Sequence, residues 1–174
     1  GYRQLTVYDF QKIRDEQEFK YEECWRGFER RELWGWGFAG VSDFGGTADH
    51  AGWSYVNHRN VPAYFASVDR GEPPLERAFA REPIDLRLNA LFRNLQGMRV
   101  DRIGYRERFG LDPVAEFSGA WSAIVDRGWA EIDDQQIRLV DDGVYYTPLI
   151  QTLLARDRVE QLQSRACEAA MSVL

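Results

Sequence analysis

The stretch Leu33-Trp34-Gly35-Trp36-Gly37-Phe38-Ala39-Gly40-Val41-Ser42 constrains this chain more than any other. Large aromatic residues alternate with glycine, a period of two that predicts a strand rather than a helix. Glycine weakens a strand unless another backbone or a ligand must come close, so its repetition here needs a reason. Two reasons stay open. The glycines serve tight packing of the sheet against bulky neighbours, or they form a bare strand face that lines a ligand cleft.

The rest of the chain can support such a strand. With 174 residues, 44% of them hydrophobic and 14% aromatic, a real core is within reach. No apolar run approaches the ~18 residues of a membrane span, and no secretory signal opens the chain, which points to a cytoplasmic protein with no membrane partner. The net charge of −6 opposes attraction to phosphate backbones. Cys24 and Cys167 stand far apart without a second cysteine at ligand spacing, so they predict buried free thiols rather than a metal site. Leu5 to Asp9 reads as a strand. A strand so near the first residue has no local partner before it, which predicts a piece of a longer protein.

Punctuation organises the remaining sequence. Lys12 to Glu23 suits a charged helix, and Asp43 to His50 has the composition of a loop. Trp53 to Asn57 alternates like a short strand returning against the glycine strand. Val61 to Asp69 predicts a helix with Pro62 in its first turn and Gly71 as its stop. Gly71-Glu72-Pro73-Pro74 marks a boundary, giving a strand-rich segment at 1–72 and a second domain at 73–155. In the latter, Ile84, Leu88, Leu91, Phe92 and Leu95 recur at helical spacing. Helices are expected over Val100 to Phe109 and over Pro113 to Arg127, followed by a hairpin around Asp133-Asp134. Near Pro148 a helix either kinks or starts with Thr147 as its cap. An amphipathic helix at 156–174, with Val159, Leu162 and Ala166 on one side, closes the chain. The fold class is α+β, and helix, helix, helix, hairpin is the order of a winged helix.

That order invites a nucleic-acid reading, which the charges oppose. The recognition helix would run from Pro113 to Arg127 and holds one arginine against Glu116 and Asp126. Arg99, Arg102, Arg106 and Arg108 crowd a short segment, where pairing with Asp101 and Glu107 is the plain expectation. His50 and His58 sit near loops, and Ser42 lacks the setting of a nucleophile elbow. There is no Walker loop and no complete dinucleotide fingerprint.

Several stretches together resemble a known family. Gly1-Tyr2-Arg3-Gln4-Leu5-Thr6-Val7-Tyr8-Asp9-Phe10 resembles "GYxxYEISNF", and Leu33 to Ser42 resembles "LGxGxxAxS". Tyr55-Val56-Asn57, Tyr64 and Gly71-Glu72-Pro73-Pro74 resemble "YxN…Y…I..G..P". Phe109-Gly110, Asp126-Arg127-Gly128-Trp129 and Arg138 to Gly143 resemble the pattern "FG", "xxGL", "LTxxG". In this order they are similar to the C-terminal part of radical SAM proteins related to oxygen-independent coproporphyrinogen III oxidase, over roughly residues 1 to 155.

The resemblance implies late strands that complete a partial barrel, followed by a mainly helical, winged-helix-like cap. It places the 4Fe–4S cluster and one S-adenosylmethionine in an N-terminal barrel, in the same chain or a partner. No C-x-x-x-C-x-x-C occurs here, so this chain is not expected to be active alone. A second S-adenosylmethionine would meet Glu23 and Val41, with Gly35 and Gly37 giving it room. Glu23 stands where the family has a glutamine, which removes an amide donor. Lys20 to Trp25 lacks the "HNxxYW" histidine of heme-binding relatives. Gly40 and Tyr8-Asp9 also depart from the pattern, pointing away from a porphyrinogen and toward the methyltransferase and cyclopropanase members. Tyr21, Trp25 and Trp36, with Trp34 and Trp53, would suit a flat aromatic small-molecule substrate. The alternative is a non-catalytic winged-helix-type interaction module.

Overall fold

The structure, a computed structural model, describes residues 1–13, 32–45 and 51–171, the side chains of the last three excepted. It is a mixed α+β chain whose contacts divide into two compact units, Glu29–Arg87 and the remainder, Gly1–Phe28 with Leu88–Leu174.

The chain opens with an antiparallel hairpin, β1 (Tyr2–Gln4) and β2 (Phe10–Lys12). The strand expected at Leu5 to Asp9 is instead the turn between them. Thr6 holds it: its hydroxyl accepts the N–H groups of Tyr8 and Asp9 at 3.2 and 3.0 Å and donates to the Asp9 carboxylate at 2.7 Å. Such local bonding draws threonine into turns despite its preference for strands. Leu5 and Thr6 are buried, and Val7 N–H donates to the Gln96 carbonyl at 2.8 Å.

In the unit Glu29–Arg87, β3 (Val41–Gly45) pairs antiparallel with β4 (Gly52–Asn57), and β4 with β5 (Leu75–Ala80). Asp43 to Gly45, expected in a loop, complete β3. Helix α1 (Val61–Asp69) joins β4 to β5. The Asn60 side chain caps it at Ala63 N–H, Pro62 lies in the first turn, and Gly71 follows at φ +70°. The Gly71-Glu72-Pro73-Pro74 turn therefore leads from this helix into a strand of the same sheet. The register shifts at Val56/Asn57, leaving Glu76 as the extra residue on β5. Its carboxylate accepts from Arg59 N–H at 3.0 Å and from the Arg59 guanidinium at 3.1 Å. The backbone bond first, then the charge, hold Glu76 below the usual carboxylate range.

Helix α2 (Pro83–Gln96) presents Leu88, Leu91 and Leu95 to the core of the other unit. Next come β6 (Arg99–Asp101), α3 (Arg102–Phe109), α4 (Pro113–Glu116), α5 (Ser118–Val125), and the hairpin β7 (Ala130–Ile132) and β8 (Gln136–Leu139). The sheet order is β6-β8-β7. Val100 belongs to β6, opposite Ile137, because Asp101 caps α3 by accepting the N–H groups of Ile103 and Gly104. The helix expected over Pro113 to Arg127 breaks at Phe117 (φ −117°, ψ 39°), and the Trp121 indole N–H reaches the Pro113 carbonyl at 3.0 Å.

Val100, Tyr105, Trp121, Ile124, Ile137 and Ile150 are sealed from water. Full burial of such side chains stabilises by roughly 1.5–3 kcal/mol each. Helices α6 (Asp142–Tyr145) and α7 (Thr147–Met171) follow. Thr147 does not cap α7 as an acceptor. It is fully buried, and its hydroxyl donates to the carbonyls of Gly143 and Val144 at 3.3 and 2.9 Å. Ile150, Leu154 and Arg158 of α7 are buried, and from Val159 to Glu168 each residue is exposed. Cys167 lies on this exposed stretch, a free thiol at the surface rather than in the core. Cys24 lies outside the described residues. No described helix is long and apolar enough to cross a membrane.

Candidate functional site

The glycine stretch does not form the predicted strand. Leu33 makes a single bridge to Asp43, and the chain then turns before β3 begins at Val41. Gly37 lies at φ +82° and Ala39 at φ +57°. Two left-handed residues so close together are incompatible with an extended strand. Gly40 N–H closes the turn on the Gly37 carbonyl at 3.3 Å.

The turn is fastened to the end of β4. The Asn57 amide donates to the carbonyls of Gly37 at 2.8 Å and Gly35 at 3.3 Å. Ala39 N–H donates to the His58 carbonyl and Asn57 N–H to the Gly40 carbonyl, both at 2.9 Å. Ser42, no nucleophile, accepts Gly35 N–H on its hydroxyl at 3.0 Å.

The glycines divide by function. A Cβ at Gly35 would lie 2.3 Å from the Val41 nitrogen, and one at Gly40 2.8 Å from the Gly35 carbonyl. Their bareness is used by the chain itself, so the packing reason holds there. A Cβ at Gly37 would meet nothing within 4 Å. Val41 is half exposed, and Trp36 is 87% exposed, beside exposed Leu33, Trp34 and Phe38. Trp34 meets Phe44 edge to face at 4.7 Å, and Phe44 meets Tyr55 at 5.5 Å. Adjacent exposed apolar side chains of this kind mark a surface that meets another molecule. Tyr21, Glu23 and Trp25 lie outside the described residues.

The same sheet holds a polar cluster that sequence reasoning missed. Ser54, buried, donates to the Asp43 carboxylate, and the Arg81 guanidinium lies 3.4 Å from the same oxygen. Only strand pairing brings these distant positions together.

The arginine cluster finds other partners than those expected. Arg102 and Arg106 reach Asp112 at 2.7 and 2.8 Å, while Asp101 is occupied as a helix cap. Burial opposes ionisation of Asp112. The Arg102 hydrogen bond, the N–H groups of Val114 and Ala115 and the Arg102 charge outweigh it and hold the carboxyl below its usual range. Among the described residues no group of three histidine, cysteine, aspartate or glutamate side chains is placed to hold a metal ion. The donor set of an iron–sulfur cluster is not assembled by them.

No family model matches the chain, and no curated protein matches it in sequence. Among solved structures it is similar to coproporphyrinogen III oxidase from Escherichia coli, described as a radical SAM enzyme, with a TM-score of 0.54 and 16% identity. The match covers 71% of this chain and 28% of that one, so this chain spans little of the enzyme's length. What the two share is a fold over the matched stretch.

Proposed function

We propose that this chain is the C-terminal, substrate-capping portion of a radical SAM enzyme of the coproporphyrinogen III oxidase type. The observation that carries this reading is the shared fold over 71% of the chain. In it, β3 to β5 are late strands that complete a partial barrel. The segment from α2 to β8 is a winged-helix cap, a reading supported by the sheet order β6-β8-β7 with α3 to α5 between β6 and β7.

A 4Fe–4S cluster and its S-adenosylmethionine, held by an N-terminal barrel, would supply the radical. The residues here hold and orient. A second S-adenosylmethionine would approach the chain at Gly37, where the space is open, and at half-exposed Val41. Gly35 supports that surface from behind. Trp36, with Tyr21 and Trp25, would offer aromatic faces to a flat substrate, and Glu23 would take the polar end of the nucleotide. The reaction best suited to this arrangement is methylation, or a related carbon-centred modification, of an aromatic natural-product scaffold.

The test uses the protein with whatever precedes Gly1, or with its partner subunit. Iron content and reductive cleavage of S-adenosylmethionine are expected, together with a C-x-x-x-C-x-x-C motif. Absence of the motif and of bound iron would overturn the reading. One observation favours an interaction module instead: Val159 and Leu162 are each 46% exposed on α7. That alternative predicts a partner helix bound along α7 in a protein that holds neither iron nor S-adenosylmethionine.

A further inference from the structure

The sheet of β3, β4 and β5 carries matched rungs on one face, because paired residues of antiparallel strands point the same way. One rung is Asp43, Ser54 and Phe79. The next is Gly45 and Gly52, extended by Arg81, whose backbone N–H donates to the Gly52 carbonyl at 2.9 Å. The guanidinium of Arg81 thus sits beside a rung with no other side chain.

This arginine is unusual in its surroundings. Its side chain is only 7% exposed, yet its one polar neighbour among the described residues is Asp43, at 3.4 Å. A guanidinium carries five N–H donors in a planar fork suited to a carboxylate. Its nitrogens make no hydrogen bond, and none is sealed from solvent. A recessed cation held in place by an acid, with its donors open to solvent, is preorganised to receive a planar anion. Asp43 is 20% exposed, and a carboxylate has about four lone-pair sites, so it can accept a cation from the same ligand. A dianion would meet repulsion from Asp43. Half-exposed Phe79 offers apolar surface on the adjoining rung.

We infer that this face binds the zwitterionic end of an α-amino acid, its carboxylate on Arg81 and its ammonium on Asp43, with an apolar side chain toward Phe79. Ser54 fixes the carboxylate of Asp43 for that task. The bare Gly45–Gly52 rung forms the floor. This assignment stands on the sheet alone and does not depend on the radical SAM reading.

The test is calorimetric titration of the full chain with L-norleucine, with pentylamine and with hexanoate, which lack its carboxylate and its ammonium in turn. L-Norleucine is expected to bind at least about tenfold more tightly than either, since each lost charged contact costs roughly a decade. Arg81→Gln should abolish the preference over pentylamine, and Asp43→Asn the preference over hexanoate, with the circular dichroism spectrum kept as the check on folding. Should Arg81→Gln not fold, Arg81→Lys keeps the charge, removes the fork and should still weaken L-norleucine. No measurable L-norleucine binding, equal binding of all three probes, or unchanged affinity in the folded arginine variants would each overturn the assignment.

Discussion

Asn57 donates its side-chain amide to the Gly37 carbonyl at 2.8 Å, so the last residue of β4 holds the turn that precedes β3. The same amide reaches Gly35 at 3.3 Å. One side chain thus bridges 20 residues of sequence and fixes the conformation of the aromatic stretch.

Asn57→Asp keeps the shape of that side chain and removes both donors, setting an anion against two carbonyls. The expected loss is about 1–3 kcal/mol, the range for a part-buried acceptor left unpaired. Chemical denaturation followed by tryptophan fluorescence reads it, and Trp34 and Trp36 should report a changed environment before global unfolding.

Gly35 and Gly37 separate packing from binding. Gly35→Ala drives a methyl group into the backbone of Val41 and should cost about 3 kcal/mol or more. Gly37→Ala meets no atom and pays only for a left-handed alanine, about 1 kcal/mol. In the intact enzyme, Gly37→Ala should weaken S-adenosylmethionine or substrate binding with a small change in melting temperature. Unchanged binding would remove Gly37 from the proposed site.

Asp112 ties α3 to the start of α4 through Arg102 and Arg106. Its folded pKa is depressed, so its contribution is full above the unfolded aspartate value of about 3.9. It is lost as the pH falls through the folded value. Asp112→Ala, which removes the cap and the acid together, should cost about 2 kcal/mol at neutral pH. Asp112→Asn should cost less, because an amide still caps Val114 and Ala115, and should flatten the acid limb of stability. Denaturation midpoints from neutral pH downward test both.

Gly143→Ala should be among the most damaging small substitutions in the chain. A Cβ there would fall 1.9 Å from the Trp129 carbonyl, where no rotation of a side chain relieves the overlap. The expected loss is about 3 kcal/mol or more, read as a lowered melting temperature.

Residues with strong local chemistry announced themselves. Asn60, Pro62 and Gly71 framed α1, Gly110 ended α3, and Leu88, Leu91 and Leu95 marked the core face of α2. The failures came where one pattern serves two physical ends. The Gly–aromatic alternation matched a strand, but glycine at 37 answers a left-handed dihedral and glycine at 35 a backbone crossing. Leu5-Thr6-Val7 has strand propensity, and the Thr6 hydroxyl overrode it. β5 was not foreseen, because Leu75 to Ala80 is exposed throughout and lacks alternation. The Asp43–Ser54–Arg81 cluster had no local signature at all, since strand register alone unites it.

The register shift at Val56/Asn57 has a mechanical meaning for the sheet. It acts as a phase adjustment that lets β4 keep step with β5 while delivering Asn57 to the Gly35–Gly37 turn. One residue inserted in β4 beyond Trp53 would preserve its hydrogen-bonding capacity and yet exchange the faces of everything after it. Asn57 would then point away from the turn, and the aromatic stretch would lose its anchor although no contact residue had been replaced. Length, in this strand, is under tighter constraint than composition.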